Sequence, residues 1–181
     1  DFLDALVPKV AAIRTGDPSS PDTVMGTLIT EGEARRVQQA ISEAAGAGAE
    51  VLVGGERQGS VVSPAVVAGV DPNSPFSRDE LFGPAVAVST ADDWESAIAQ
   101  ANGTVYGLSA GIFTADVAGA VRAIREIDAG NVHINWTPLW RADLMPYGGL
   151  KASGIGKEGV RSAVAEMTEE KTIVLHGRPW Q

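Results

Sequence analysis

Few residues in this chain could do chemistry, and their spacing limits what that chemistry is. From Pro146 to Gly159 the chain reads Pro-Tyr-Gly-Gly-Leu-Lys-Ala-Ser-Gly-Ile-Gly-Lys-Glu-Gly, five glycines in fourteen residues. Such a density exposes, bends or closely packs a backbone; it does not fill a core. Phosphate cradling is the first chemistry that glycine loops suggest. Yet Gly148, Gly149, Gly154, Gly156 and Gly159 match neither the Walker pattern nor a complete G-x-G-x-x-G opening a helix after a strand. Taken alone, the stretch reads as a glycine-rich surface turn. His133 and His176 stand far apart with no ligand spacing around them, so no metal site is expected. The chain has no cysteine, hence no disulfide framework and no thiol chemistry of its own.

Composition narrows the classes further. With 181 residues and 44% apolar content, the chain can bury a real core. A net charge of -9 repels phosphate backbones and anionic membrane surfaces, so neither nucleic acid nor a membrane is an expected partner. No signal-peptide pattern or long apolar run is present, and a soluble, cytoplasmic protein is expected. The chain opens at Asp1 with helix-like apolar spacing already running from Phe2, which suggests a piece of something longer.

The elements that would position these residues follow from periodicity. Phe2 to Ile13 predicts a helix that Pro8 kinks or splits, and Arg14 to Thr23 a loop. Thr30 with Glu33 reads as a capping box for a helix burying Ala34, Val37, Ile41 and Ala44, with Gly46 at C′. Val51 to Val53 predicts a short strand, and Val61 to Val67 another that Pro64 turns into an edge or bulge. Ala85 to Val88, a helix after Asp92, Leu108 to Phe113, a helix from Val117 ended by Gly130, and Asn131 to Asn135 then spell β-α-β-α-β. Crossovers of this length imply parallel strands and an α/β layered domain. In such sheets the ligand crevice lies beyond the carboxyl ends of the strands, which points to Asn135 to Tyr147. Lys171 to Leu175 alternates weakly and predicts a further strand, added to another sheet.

At this point the residues resemble the NAD(P)-dependent aldehyde dehydrogenases. Asp79-Glu80-Leu81-Phe82-Gly83-Pro84 is similar to that family's Glu-x-Phe-Gly-Pro motif. Asn102 with Tyr106-Gly107-Leu108 through Phe113-Thr114 resembles its Asn followed by Tyr-Gly-Leu-x-x-x-Val-Phe-Thr. Pro146-Tyr147-Gly148-Gly149, Lys151, Ser153-Gly154 and Gly156-Lys157-Glu158 resemble its Pro-Phe-Gly-Gly, Lys, Ser-Gly and Gly-Arg-Glu pattern. The likeness runs from about Gly16 to Leu175. It departs at Met25-Gly26-Thr27-Leu28-Ile29, where Gly-Pro-Leu-Ile is usual, and at Tyr147 and Lys157, which replace Phe and Arg.

The resemblance implies the carboxyl-terminal portion of the catalytic domain, residues 1–168, followed by an oligomerisation strand and tail, 169–181. In the family a cysteine thiolate attacks the aldehyde, hydride passes to the nicotinamide, and a glutamate-activated water releases the thioester as an acid. No catalytic residue lies in this chain; the cysteine and the Rossmann portion would lie upstream, and the chain alone is expected to be inactive. The implied cofactor is NAD or NADP. Glu80 matches the glutamate that accepts from the nicotinamide ribose hydroxyls, against the plain reading of a solvated loop acid. Phe82 matches the aromatic packed on the nicotinamide, against a core Phe. Tyr147 matches an aromatic of the substrate tunnel, against a loop-anchoring tyrosine, while Leu108 reads as a buried strand leucine, with contact to the same cavity as the alternative. Trp140 and Arg141, with Trp136, fall in the loop where the family chooses its substrate, against tryptophans that serve as packing lids. Arg141-Ala-Asp-Leu-Met-Pro-Tyr147 most resembles the branch acting on small polar or anionic aldehydes, where an arginine would clamp an anionic substituent; an ordinary surface ion pair is the alternative. The implied partners are a small-molecule aldehyde and copies of the same protein in a dimer or tetramer. A non-catalytic assembly module and one subunit of a split enzyme remain the rival readings.

Overall fold

The structure is a computed structural model that describes residues 1–177. The chain divides into two compact units, Asp1–Gly103 and Thr104–Gln181.

The first unit contains α1 (Phe2–Ala11), α2 (Glu31–Gly46), β1 (Glu50–Val53), β2 (Arg57–Gln58), β3 (Val61–Val62), β4 (Ala65–Ala68), α3 (Pro75–Arg78), β5 (Ala85–Val88) and α4 (Trp94–Asn102). Its sheet has the order β1-β4-β5, β4 pairing antiparallel with β1 and parallel with β5. The apolar face of α2 covers this sheet: Ala34, Val37, Ile41 and Ala44 are buried with Val62, Ala65, Val67, Val70 and Phe76. The spacing of those α2 positions had already marked that face.

Several expectations change in detail. Pro8 sits inside one uninterrupted helix, its carbonyl still accepting from Ala12 N at 3.2 Å, so α1 does not split. The α2 cap is half a box: Thr30 Oγ1 accepts from Glu33 N at 3.1 Å, while the Glu33 carboxylate turns to Arg36 at 2.8 Å. Gly46 remains helical because Ala47 N still bonds Glu43 O, and Gly48, at φ +104°, takes the left-handed position. Helix α4 does follow Asp92, and Asp93 caps it with a full capping box to Ser96. Val61 to Val67 is two strands. β4 is central in its sheet, so the edge expected from Pro64 does not exist. Pro64 escapes the ladder by preceding β4, and the register shift falls across from it in β1, between Val51 and Val53.

The second unit contains β6 (Tyr106–Gly107), β7 (Ser109–Ile112), α5 (Val117–Glu126), β8 (Asn131–Ile134), β9 (Leu150–Lys151) and α6 (Val160–Met167). β7 and β8 pair in parallel across the α5 crossover, as the β-α-β pattern implied, and β6 pairs antiparallel with β9. Helix α5 ends at Ile127, which turns extended; Gly130 is not its stop. Lys171 to Leu175 forms no strand among the described residues, and Ile173, Val174 and Leu175 are exposed. Residues 178–181 of the expected tail lie outside the described residues. The architecture is mixed α/β, as expected from the sequence, with one parallel strand pair in each unit.

Candidate functional site

In the first unit the residues of interest sit on a turn that leads from α3 into β5. Arg36 Nη2 donates to Leu81 O at 2.7 Å, and Arg36 Nε is itself held by Glu33. Leu81 packs against the core, and a Cβ on Gly83 would lie 2.5 Å from Val37 Cγ2, so only glycine lets the turn press on α2 here. Pro84 O accepts from Ala65 N at 2.8 Å, tying the end of the turn to β4. Between these pins Phe82 adopts φ +46°, and its ring is 76% exposed. A left-handed backbone costs a non-glycine residue about 1–2 kcal/mol, and a ring left in solvent regains none of it by burial. Strain of this kind, held by rigid surroundings, is found at ligand clamps. Glu80 is exposed, and its carboxylate enters none of the ion pairs or hydrogen bonds of the described residues. A groove of about 400 Å³ between α2 and α3 is walled by Ala44, Phe76 and Glu80. This unit therefore offers an exposed, unpaired carboxylate two residues from a solvent-facing aromatic side chain on a pinned backbone. Phe82 as a core residue is excluded by its exposure.

In the second unit the glycine-rich segment winds back on itself. A Cβ on Gly130 would overlap Gly148 O, one on Gly107 would overlap Asp128 O, and one on Gly149 would overlap Ser153. The glycines are thus points of close backbone approach. The donors that a phosphate cradle would need are used within the chain: Tyr147 N to Glu158 O, Ala152 N to Val105 O, Ser153 N to Leu150 O, and Lys157 N to Glu166 Oε1. Lys157 Nζ donates to Gly148 O at 2.8 Å, and Ser153 Oγ accepts from Gly107 N at 2.9 Å. With these N–H groups engaged within the chain and the carboxylates of Glu158 and Glu166 alongside, the segment is poorly suited to an anion.

The loop that follows β8 starts at Asn135, left-handed at φ +55°, whose side chain bonds Thr114 N and Thr114 O at 2.8 and 3.0 Å. Asparagine tolerates that conformation better than other non-glycine residues. Tyr147 is half-buried and lines a cavity of about 440 Å³ with Leu108, Ile155, Lys157, Glu158 and Met167. Leu108 is 41% exposed at this cavity, not a buried strand leucine, because it falls in the gap between β6 and β7. Arg141 lies over the Tyr147 ring, 4.9 Å from its centroid, and its Nη1 pairs with Glu158 Oε2 at 2.8 Å. The ion-pair alternative for Arg141 is therefore real in this structure. Trp140 stacks edge-on against His133 at 6.1 Å, and His133 Nε2 is buried without a hydrogen-bond partner. Trp136 is exposed. Within this unit Arg141 and Tyr147 are brought together, whereas Trp140 packs on His133; Glu80 and Phe82 lie in the other unit. Sequence reasoning missed the residues that hold them, Arg36, Asn135, Glu158 and Glu166. Asn135 alone carried a local signal, an asparagine at a strand's end.

Among the described residues no group of three or more His, Cys, Asp or Glu is placed to hold a metal, and no helix is long and apolar enough to cross a membrane. Comparison with known proteins bears on the chain as a whole. A model of the aldehyde dehydrogenase family matches residues 1–173. The 3-sulfolactaldehyde dehydrogenase of Priestia aryabhattai is 41% identical over 175 residues, covering 97% of this chain and 37% of that protein. Aldehyde dehydrogenase 21 from Physcomitrella patens, solved with the reaction product succinate, superposes with a TM-score of 0.89 at 37% identity, over 92% of this chain and 34% of that one. The glyceraldehyde-3-phosphate dehydrogenase of Methanocaldococcus jannaschii, solved with NADP, gives 0.90 at 34% identity over 95% and 37%. The chain spans little more than a third of the length of these proteins. A family model that matches residues 1–173 of 181 means that the chain belongs to the aldehyde dehydrogenase family.

Proposed function

We propose that the chain is the carboxyl-terminal part of the catalytic domain of an NAD(P)-dependent oxidoreductase that converts a small anionic aldehyde to its acid. The observation that carries this reading is the pinned turn at Glu80 to Pro84, where strain holds the Phe82 ring in solvent and Glu80 stays unpaired. These residues fit a nicotinamide riboside: a carboxylate suits a ribose diol, and a flat apolar wall suits the ring. NAD or NADP, when bound, takes up the hydride that leaves the aldehyde carbon. Glu80 would fix the ribose through its two oxygens, and Phe82 would fix the plane of the ring. Because the chain has no cysteine, the thiol that attacks the aldehyde would come from residues outside these 181. Tyr147, Trp140 and Arg141 would form the substrate end. Relatives named for a sulfonated and a phosphorylated aldehyde, and one solved with a dicarboxylate product, support an anionic substituent there. Residues 1–168 would form the catalytic part, and the stretch from 169 would join another copy in a dimer or tetramer, a role favoured by the exposed apolar side chains of Ile173, Val174 and Leu175.

The test uses the enzyme that contains this chain. Glu80→Gln keeps the shape but leaves one acceptor where there were two, so NAD(P) should bind about tenfold or more weaker, each tenfold being about 1.4 kcal/mol. The less firmly held nicotinamide should also slow hydride transfer and raise the deuterium isotope effect with deuterated aldehyde. Unchanged affinity together with an unchanged isotope effect would refute the ribose assignment.

A further inference from the structure

Arg141, Tyr147 and Glu158 form a closed arrangement within one unit. Tyr147 N donates to Glu158 O at 3.1 Å and Glu158 N to Tyr147 O at 2.6 Å, so the backbone places Glu158 beside the tyrosine. From there the Glu158 carboxylate reaches Arg141 Nη1 at 2.8 Å, and the guanidinium lies over the Tyr147 ring at 4.9 Å. As a source of stability the ion pair is negligible, since its side chains are 43% and 66% exposed and water screens them. Its geometric effect is larger. A long arginine side chain on a surface loop samples many rotamers, and two anchors, the Tyr147 ring and the Glu158 carboxylate at Nη1, narrow the choice. Arginine carries five N–H donors in a fixed fork, and among the described residues Glu158 is the only acceptor that engages Arg141. The rest of the fork is left for an anion.

We infer that Glu158 is a positioning residue for substrate selectivity: it holds Arg141 on the Tyr147 ring so that the remaining guanidinium donors meet the carboxylate, sulfonate or phosphate of an aldehyde. This rests on the reading of Arg141 as the anion-binding end of the substrate site. Pre-ordering the side chain removes a cost that the substrate would otherwise bear on binding. Glu158 could instead act as a rival anion that the substrate must displace, but a single contact to Nη1 leaves a bidentate approach open on the other donors, so positioning outweighs competition.

The experiment measures KM and kcat for 4-oxobutanoate and butanal, matched in length and differing in charge, with the enzyme that contains this chain and with Glu158→Ala, Glu158→Gln, Arg141→Ala and the Glu158→Ala/Arg141→Ala double variant. Glu158→Ala should raise KM for 4-oxobutanoate about tenfold while kcat falls less than about twofold, lowering the preference for the anionic aldehyde. Glu158→Gln, which retains an acceptor, should recover much of that preference. The double variant should be no worse than Arg141→Ala, because Glu158 acts through Arg141. A lower KM in Glu158→Ala would mean competition and overturn the inference. Equal losses in kcat for both aldehydes, or effects that multiply in the double variant, would overturn it too, by placing Glu158 in the common chemistry or in folding. Arg141→Ala with an unchanged preference for the anion would sink the underlying reading of the substrate end instead.

Discussion

Phe82 and the glycines show how much one side chain can cost or save in this fold. At Phe82 the backbone is left-handed and the ring is in solvent, so the residue strains the chain without burying area in return. Phe82→Gly should therefore be at least as stable as the original and more stable than Phe82→Ala by about 1 kcal/mol, while weakening NAD(P) binding. Thermal melts paired with cofactor titration check this; a Phe82→Gly protein less stable than Phe82→Ala would mean the strain is not there. The glycines respond in opposite directions according to their surroundings. A Cβ at Gly46 meets nothing within 4 Å in a helical backbone, so Gly46→Ala should gain about 0.5 kcal/mol. A Cβ at Gly130 would overlap the Gly148 carbonyl, which has no flexible side chain to swing away. Gly130→Ala should cost about 3 kcal/mol and displace the segment that carries Tyr147. Denaturant melts of the two variants settle the contrast.

At the scale of elements, the two candidate clusters depend on what α2 and α6 hold in place. Helix α2 buries one face against its sheet and, from the flank of that face, extends Arg36 to the Leu81 carbonyl. Arg36→Ala removes a charge-assisted bond worth about 1.5–3 kcal/mol in general, less where it is exposed. The expected loss is about 1 kcal/mol of stability together with weaker cofactor binding, since the Glu80 to Pro84 turn loses a pin. Equilibrium unfolding combined with NAD(P) titration reads both effects, and unchanged cofactor affinity would show that Gly83 and Pro84 suffice to fix the turn. Helix α6 does the same for the glycine-rich segment, where Glu166 accepts from Lys157 N at 2.9 Å. Asp93 on α4 and Thr30 on α2 each accept from the N3 backbone N–H, so both Asp93→Ala and Thr30→Ala should cost about 1 kcal/mol, whereas Glu33→Ala costs only a surface ion pair.

For the molecule as a whole, the absence of cysteine and the span of about a third of its relatives bear on activity. The 181-residue chain alone should produce no NADH or NADPH from a panel of aldehydes; turnover above a blank would remove the basis of the proposed division of labour. Its charge of -9 favours solubility, whereas Ile173, Val174 and Leu175 lie exposed on a stretch with no strand partner among the described residues. Light scattering should show self-association that Ile173→Lys and Leu175→Lys weaken, because a charge on an unpaired edge opposes pairing. A monodisperse monomer at high concentration would count against the assembly role of that stretch.

The order and spacing of the motifs pointed to the family, and the helical repeat Ala34, Val37, Ile41 and Ala44 marked the buried face of α2, because both are local properties of a chain. Hydrophobic period reports which side of an element faces the core whatever the rest of the fold does. What a glycine is for is not local. Gly54 must lack a side chain because Pro64 O comes close, Gly107 because Asp128 O does, and Gly130 because Gly148 O does, and none of those approaches is written beside the residue it constrains. The same holds for Arg141, whose charge was visible in sequence while its partner Glu158 was chosen by a backbone bridge to Tyr147. The left-handed turn at Phe82 was likewise decided in three dimensions, since only the grip of Arg36, Val37 and Ala65 on its neighbours sustains a conformation that the residue's own preferences oppose.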